Sequence, residues 1–443
     1  MTMNDAMPMS GHDAWTRGDR GSLGRPDLVL RGATLADGTR ADIAIGDGRI
    51  VRIAPEIDPI DAPGAVIEDV RGQLALPAFT DLHMHLDKAF TLEATENSSG
   101  TLEEAIARYE ELRPTLTREG FVERALRTLR LCLAAGTTRV RTHVNVYPAA
   151  DGSGLMPVEA ALEARARARD VMDVQIVLLP AGNLAHDRGL YEACEEALRL
   201  GADAVGGAPA LDPDPDAAIA SAFALAQRFD RPVDLHVDES DDPGVRTLAA
   251  IAATTLQTGY GGRVTAGHCC SLAAMDDDSA ARIIERVAEA RIAVVTLPSC
   301  NLYLQGRHDR QPIRRGLTRV KELAAAGVNV AAASDNIRDP FNPFGRGDLL
   351  HIADLLVHAV QLGSPAEQRF ARDAIGANPR AVFEEADPAL WRGGMPRVGD
   401  RADLVVCAVS SAADLIAAQP VRSLVLHDGR VVARTRGTTD TLL

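Results

Sequence analysis

The chain has 443 residues, 46% of them hydrophobic and 25% charged, enough apolar material for a large buried core. Its 47 basic and 62 acidic residues give a formal charge of −15, which excludes a general attraction for nucleic acid or an anionic membrane and suits a small neutral or basic substrate. No run of about 18 apolar residues suggests a membrane span, and the six scattered cysteines contain no C-x-x-C pair, so buried free thiols in a reducing cytoplasm are expected.

Residues 1–26 are polar, rich in Gly, Asp and Met, and without the apolar stretch of a signal peptide; a disordered tail is expected there. Over 28–53, short strands alternate with turns at Asp37-Gly38 and Asp47-Gly48. The C-terminal stretch has the same texture, with apolar runs at 403–406 and 424–426 and a turn at Asp428-Gly429. Segments 27–75 and 399–443 therefore read as halves of one small β-sandwich domain, divided by everything between them.

The middle, 76–398, alternates strands and helices. A run from Leu76 to Leu82 ends in His83-Met84-His85. Thr101-x-x-Glu104 has the pattern of a capping box, followed by Leu102, Ala105, Ile106, Tyr109 and Leu112 at the spacing of one helix face, and Pro114 ends that helix. A second helix carries Phe121, Val122, Ala125, Leu126, Leu129 and Leu133, with Gly136 just beyond it. Strand-like runs follow at 140–146, 174–179, 204–206, 233–237, 264–267, 292–297 and 328–333. With the run ending at His83 there are eight, and repeated strand–helix alternation predicts a parallel (β/α)8 TIM barrel.

Such barrels carry their chemistry at the carboxyl ends of the strands. His83 and His85 are two apart, so both point to one face of a strand and can reach one metal. Three later runs end in His236, His268 and Asp335. Imidazole and carboxylate groups suit zinc, iron or manganese.

The stretches 77–87, 140–144 and 236–239, together with Leu304-Gln305-Gly306-Arg307 and 314–322, make the chain resemble the amidohydrolase superfamily, and within it the cytosine deaminase-like group. The resemblance runs from about residue 27 to 440. It implies one divalent metal ion, Zn2+ or Fe2+, held by His83, His85, His236 and Asp335. It implies Glu239 as a proton shuttle, His268 beside the reacting centre, and Asp335 as a proton acceptor as well as a ligand. Two-metal relatives place a lysine at the end of the fourth strand; none stands near Ala204–Gly207, so a single metal is expected. The implied partner is a small nitrogen heterocycle, and a homo-oligomer is compatible with all of this.

Two positions depart from cytosine deaminases. Pro180 is followed by Ala181 where those enzymes carry a glutamine that reads the pyrimidine edge, and Asn336 replaces the second of two consecutive aspartates. His85-Leu86-Asp87-Lys88 and Ser334-Asp335-Asn336 look more like isopropylammelide isopropylaminohydrolase, a triazine-processing relative. That likeness implies substrate contacts from Lys88 and Asn336; Asp212, in the loop after the fourth strand, is a further candidate. The expected reaction is hydrolytic loss of ammonia or an amine from the ring. Hydrolysis of an amide or cyclic amide is the alternative, and a non-catalytic barrel scaffold is a third. Regular pleating would aim Glu239 away from His236, so the strand must already have turned into loop there. His143, at another strand end, is expected to be a hydrogen-bonded structural residue, whereas His186, His308, His351, His358 and His427 lack ligand-like spacing.

Overall fold

A computed structural model describes residues 24–148, 153–390 and 393–437. The segment expected to be a disordered tail therefore lies, up to residue 23, outside the described residues. Five strands come first: β1 (Leu28–Thr34), β2 (Arg40–Gly46), β3 (Arg49–Ala54), β4 (Val66–Asp69) and β5 (Leu74–Pro77). Eight follow: β6 (Phe79–Met84), β7 (Thr137–Val146), β8 (Asp173–Pro180), β9 (Ala204–Val205), β10 (Val233–Val237), β11 (Val264–His268), β12 (Ala293–Thr296) and β13 (Val330–Ala332). Then come β14 (Leu404–Cys407), β15 (Arg422–His427) and β16 (Arg430–Arg434).

Strands β6 to β13 form one parallel sheet in sequence order. It closes where Met84 bridges Asp335 and the Asp335 amide donates to the His83 carbonyl at 2.8 Å. The result is the expected (β/α)8 barrel. The strands run from ten residues in β7 to two in β9, the shortest. Gly206, just after β9, explains why: a Cβ there would stand 2.4 Å from the Leu178 carbonyl oxygen and 2.8 Å from that of Asp234. Only glycine lets the neighbouring strands approach so closely. Helices such as Arg118–Ala134, Arg188–Leu200 and Asp277–Glu289 pack their apolar faces on the outer wall, joining strand residues Val140, Ile176 and Val264 in one core.

The other strands, from both chain ends, make a mixed sheet in the order β16-β15-β14-β5-β1-β2-β3, with β4 paired to β1. It curls on itself. Ile43 and Ile45 of β2 share a core with Leu424 and Leu426 of β15, although β14, β5 and β1 separate those strands. The Ile50 amide also donates to the Asp400 carbonyl at 3.0 Å, tying the start of β3 to the segment before β14.

The run read from Leu76 to Leu82 is divided between the two sheets. Leu76 and Pro77 end β5, Ala78 bonds back to the Asp403 carbonyl, and Phe79 opens the barrel. Pro77 has no amide hydrogen for a continuous ladder, so the change of sheet falls there. The helix Leu102–Leu112 starts at Thr101, whose hydroxyl accepts from the Glu104 amide at 3.2 Å. Its box is not reciprocal. The Glu104 carboxylate accepts instead from the amides of Ser98 (3.2 Å) and Ser99 (2.6 Å), which fastens the preceding loop. All six cysteines are free and buried, as expected. Among the described residues, no helix is long and apolar enough to cross a membrane.

Candidate active site

Histidines 83 and 85 leave the end of β6 on the same face, as their spacing requires. His236 lies in β10, and Asp335 follows β13 in a left-handed conformation, φ 61°. Four donor atoms from three strands meet here. His83 Nε2 lies 3.2 Å from His236 Nε2, and His236 Nε2 lies 3.2 Å from His85 Nε2. Asp335 Oδ1 is 3.4 Å from His85 Nε2 and 3.8 Å from His83 Nε2. Burial first, and neighbouring histidines second, push His83 and His236 well below the ordinary imidazole value. These rings are neutral at neutral pH, so each has one bare nitrogen that it can turn toward the others. Burial acts to raise the Asp335 carboxyl, but the His85 contact and the His268 charge outweigh it and hold it below its ordinary value. Lone pairs converging on a buried carboxylate satisfy one another only around a cation, so the residues fit a metal ion of the borderline, imidazole-preferring kind.

Glu239 reaches the same site because the chain turns sharply after β10. Asp238 adopts φ 49° and is held there by its own carboxylate, which accepts from the Thr247 amide and hydroxyl at 2.9 and 2.6 Å and from the Leu248 amide at 3.1 Å. The Glu239 side chain is only 14% exposed. Burial pushes its carboxyl well above the ordinary value, and the Asp335 charge adds to this. Such a group can carry a proton at neutral pH. His268 ends β11 at φ 67°, with Nδ1 3.3 Å from Glu239 Oε1; burial above all lowers its pKa to about 4.

These residues open into a cavity of about 860 Å³. Lys88, Asn336 and Asp212 line it together with His85, His236, Glu239, His268 and Asp335. Lys88 Nζ donates to Asp87 Oδ2 at 2.9 Å and to Asn145 Oδ1 at 2.5 Å. Asn336 Nδ2 donates to Asp339 Oδ2 at 2.7 Å, and burial above all raises the Asp339 carboxyl to about 7. Asp212 also closes its own turn, accepting from the Asp214 amide at 2.9 Å.

His143 is buried beside His83. Among the described residues neither ring nitrogen has a hydrogen bond: Asp234 Oδ1 is 3.6 Å from Nε2, and the ring lies 4.0 Å from that of His83. Asp234 is held by Arg141 Nη1 at 2.8 Å. Sequence reasoning missed Asn145 and Asn301. Asn145 had a signal, because it stands two residues beyond His143 on one strand and so shares its inward face. Asn301 had none, since it lies in the helix Pro298–Leu304, beyond the end of β12.

A family model described as "Amidohydrolase family" matches residues 90–433. A pterin deaminase of Rhizobium rhizogenes (strain K84) is 34% identical over 399 residues, covering 89% of this chain and 88% of that protein. Among solved structures, 5-methylcytosine deaminase from Klebsiella pneumoniae, liganded with phosphonocytosine, gives a TM-score of 0.84 at 30% identity, over 94% of this chain and 100% of the other. N-isopropylammelide isopropylaminohydrolase from Burkholderia multivorans gives 0.79 at 29% identity, over 92% and 98%. The chain belongs to the amidohydrolase family and is a hydrolase of carbon–nitrogen bonds.

Proposed function

We propose that the chain hydrolytically removes ammonia or an amine from a nitrogen heterocycle, using one divalent ion held by His83, His85, His236 and Asp335. The observation that carries this reading is the meeting of those four donor atoms, with gaps of 3.2 to 3.8 Å, at the floor of a large cavity. The names of the relatives support the substrate class, for pterin, 5-methylcytosine and N-isopropylammelide are all nitrogen heterocycles. Zinc is the expected metal, with iron the second choice for the same ligands.

When bound, such an ion supplies the Lewis acidity that makes water a nucleophile near neutral pH. The chain supplies the rest. Water adds its oxygen to the ring carbon, the carbon–nitrogen bond breaks and a carbonyl remains; of the water's two protons, one ends on the adjacent ring nitrogen and the other leaves with the departing nitrogen. Glu239 carries that proton, because it is buried, its carboxyl is raised, and it borders both the ligand cluster and the cavity. His268 orients the group at the reacting carbon. Asp335 takes the proton that the water loses. Lys88, fixed by Asp87 and Asn145, holds an anionic ring oxygen at the cavity wall, and Asn336 offers an amide to the ring edge.

A panel of aminated pyrimidines, triazines and pterins, assayed for released ammonia or alkylamine, tests the proposal. Amine release is the expected result. A new carboxylate with no amine would replace it by amide hydrolysis.

A further inference from the structure

Asn301 is fully buried in the helix Pro298–Leu304. Its amide nitrogen lies 3.0 Å from His268 Nδ1 and 3.2 Å from Glu239 Oε1. An amide nitrogen has two hydrogens to give and accepts none. Placed so, it takes both neighbours as acceptors, the Glu239 oxygen through a lone pair that either protonation state keeps and the imidazole nitrogen by its tautomer. Turning the amide over would set its carbonyl oxygen at these same distances and would call for a proton on both Glu239 Oε1 and His268 Nδ1 at once.

A neutral imidazole has one N–H. If Nδ1 accepts, the proton sits on Nε2. That atom is buried with no hydrogen-bond partner among the described residues, and His268 lines the cavity. The distinction matters because His83, His236 and His268 could also be grouped as ligands, each offering a ring nitrogen within 4.8 Å of the others. Ligation through Nε2 would require a bare lone pair there and the proton on Nδ1, and the amide hydrogen directed at Nδ1 forbids it.

We propose that Asn301 is a positioning residue: by donating to Glu239 and His268 together, it fixes His268 in the Nε2–H tautomer. His268 then meets the substrate as a hydrogen-bond donor and stays out of the metal's ligand set. Glu239 Oε1 is engaged by the same amide, which leaves Oε2 as the oxygen that exchanges protons with the substrate. This role rests on the site assignments proposed above.

The test is histidine-selective 15N labelling of the zinc-loaded full chain, read by two-bond proton–nitrogen correlation, with His268 signals assigned by their loss in His268→Gln. His268 is expected to show a protonated Nε2 and a bare Nδ1. Asn301→Leu keeps the volume and removes the donor; Asn301→Ala removes both. In either variant the proton is expected to move to Nδ1, where Glu239 accepts it across the 3.3 Å gap. Turnover should fall about 10- to 100-fold with zinc content unchanged. A wild-type His268 protonated on Nδ1, or variants that keep both the tautomer and kcat, would overturn the proposal. A chain that binds no zinc yet keeps the Nε2–H tautomer would count against the ligand set alone and leave the role of Asn301 standing.

Discussion

The two ends of the barrel both bury charge and treat it in opposite ways. At the amino end, opposites meet. Arg139 Nη2 donates to Asp403 Oδ2 at 2.5 Å and lies 3.1 Å from Glu384 Oε1. Arg401 bonds the same Asp403 oxygen through Nε at 2.6 Å and pairs with Asp173. His427 Nδ1 stands 3.3 Å from Asp403 Oδ1, closing a network that joins barrel to curled sheet. At the carboxyl end, apart from the Lys88–Asp87 pair, like meets like: neutral ring nitrogens face one another, and the acids Asp335 and Glu239 share a wall with no arginine contact among the described residues. One strand passes through both regimes, since Arg139, Arg141, His143 and Asn145 alternate along the inward row of β7. Paired charges make one end a joint, and unmatched lone pairs make the other a site. The acids and histidine at the joint, Asp173, Asp403 and His427, also lie close enough to hold an ion, but two arginines already neutralise them.

That contrast can be broken most severely at the carboxyl end. His236→Ala is expected to abolish both metal binding and turnover, with metal content per chain as the readout; an active, metal-bound variant would remove His236 from the set. Glu239→Gln should retain the metal and lose about 10²- to 10⁴-fold in kcat, so full activity would strike Glu239 from the mechanism. At the amino end the sign of the result should reverse. Asp403→Ala leaves Arg139 and Arg401 without their shared carboxylate and should cost roughly 3–5 kcal/mol of stability in denaturant titration. Turnover per folded molecule should stay unchanged, and a matching loss of kcat would show that the two ends are coupled.

The smallest effect is one of pH. Burial acts to raise the Asp403 carboxyl, but the His427 contact and the Arg139 and Arg401 charges outweigh it and hold it below 3.8. A carboxyl lowered in the folded state adds stability that is complete above the unfolded value of 3.8 and is lost as pH falls below it. Asp403→Asn should therefore flatten this part of the acid limb of the stability–pH curve, while an unchanged limb would contradict the pairing.

Much of this was legible in the sequence because period-two patterning and strand-end polar residues survive into structure unchanged. Each expected barrel strand exists, and the strand-end residues His83, His85, His236, His268 and Asp335 gather in one cluster, all but His83 lining the cavity. What was illegible has local causes. The break between Leu76 and Phe79 is set by which sheet offers a partner, not by apolar pattern. Glu239 turns inward only because the Asp238 carboxylate captures the next helix's amides. Asn301 acts through a helix beyond the strand end, where spacing rules for strands have nothing to say.

The central claim is that lone pairs, not charge pairs, mark the metal's place. Anomalous scattering from crystals of the zinc-loaded chain tests this most directly. The account predicts one strong peak about 2.0–2.2 Å from Nε2 of His83, His85 and His236 and from the Asp335 carboxylate. No peak there, or a peak between Asp173, Asp403 and His427 instead, would contradict it.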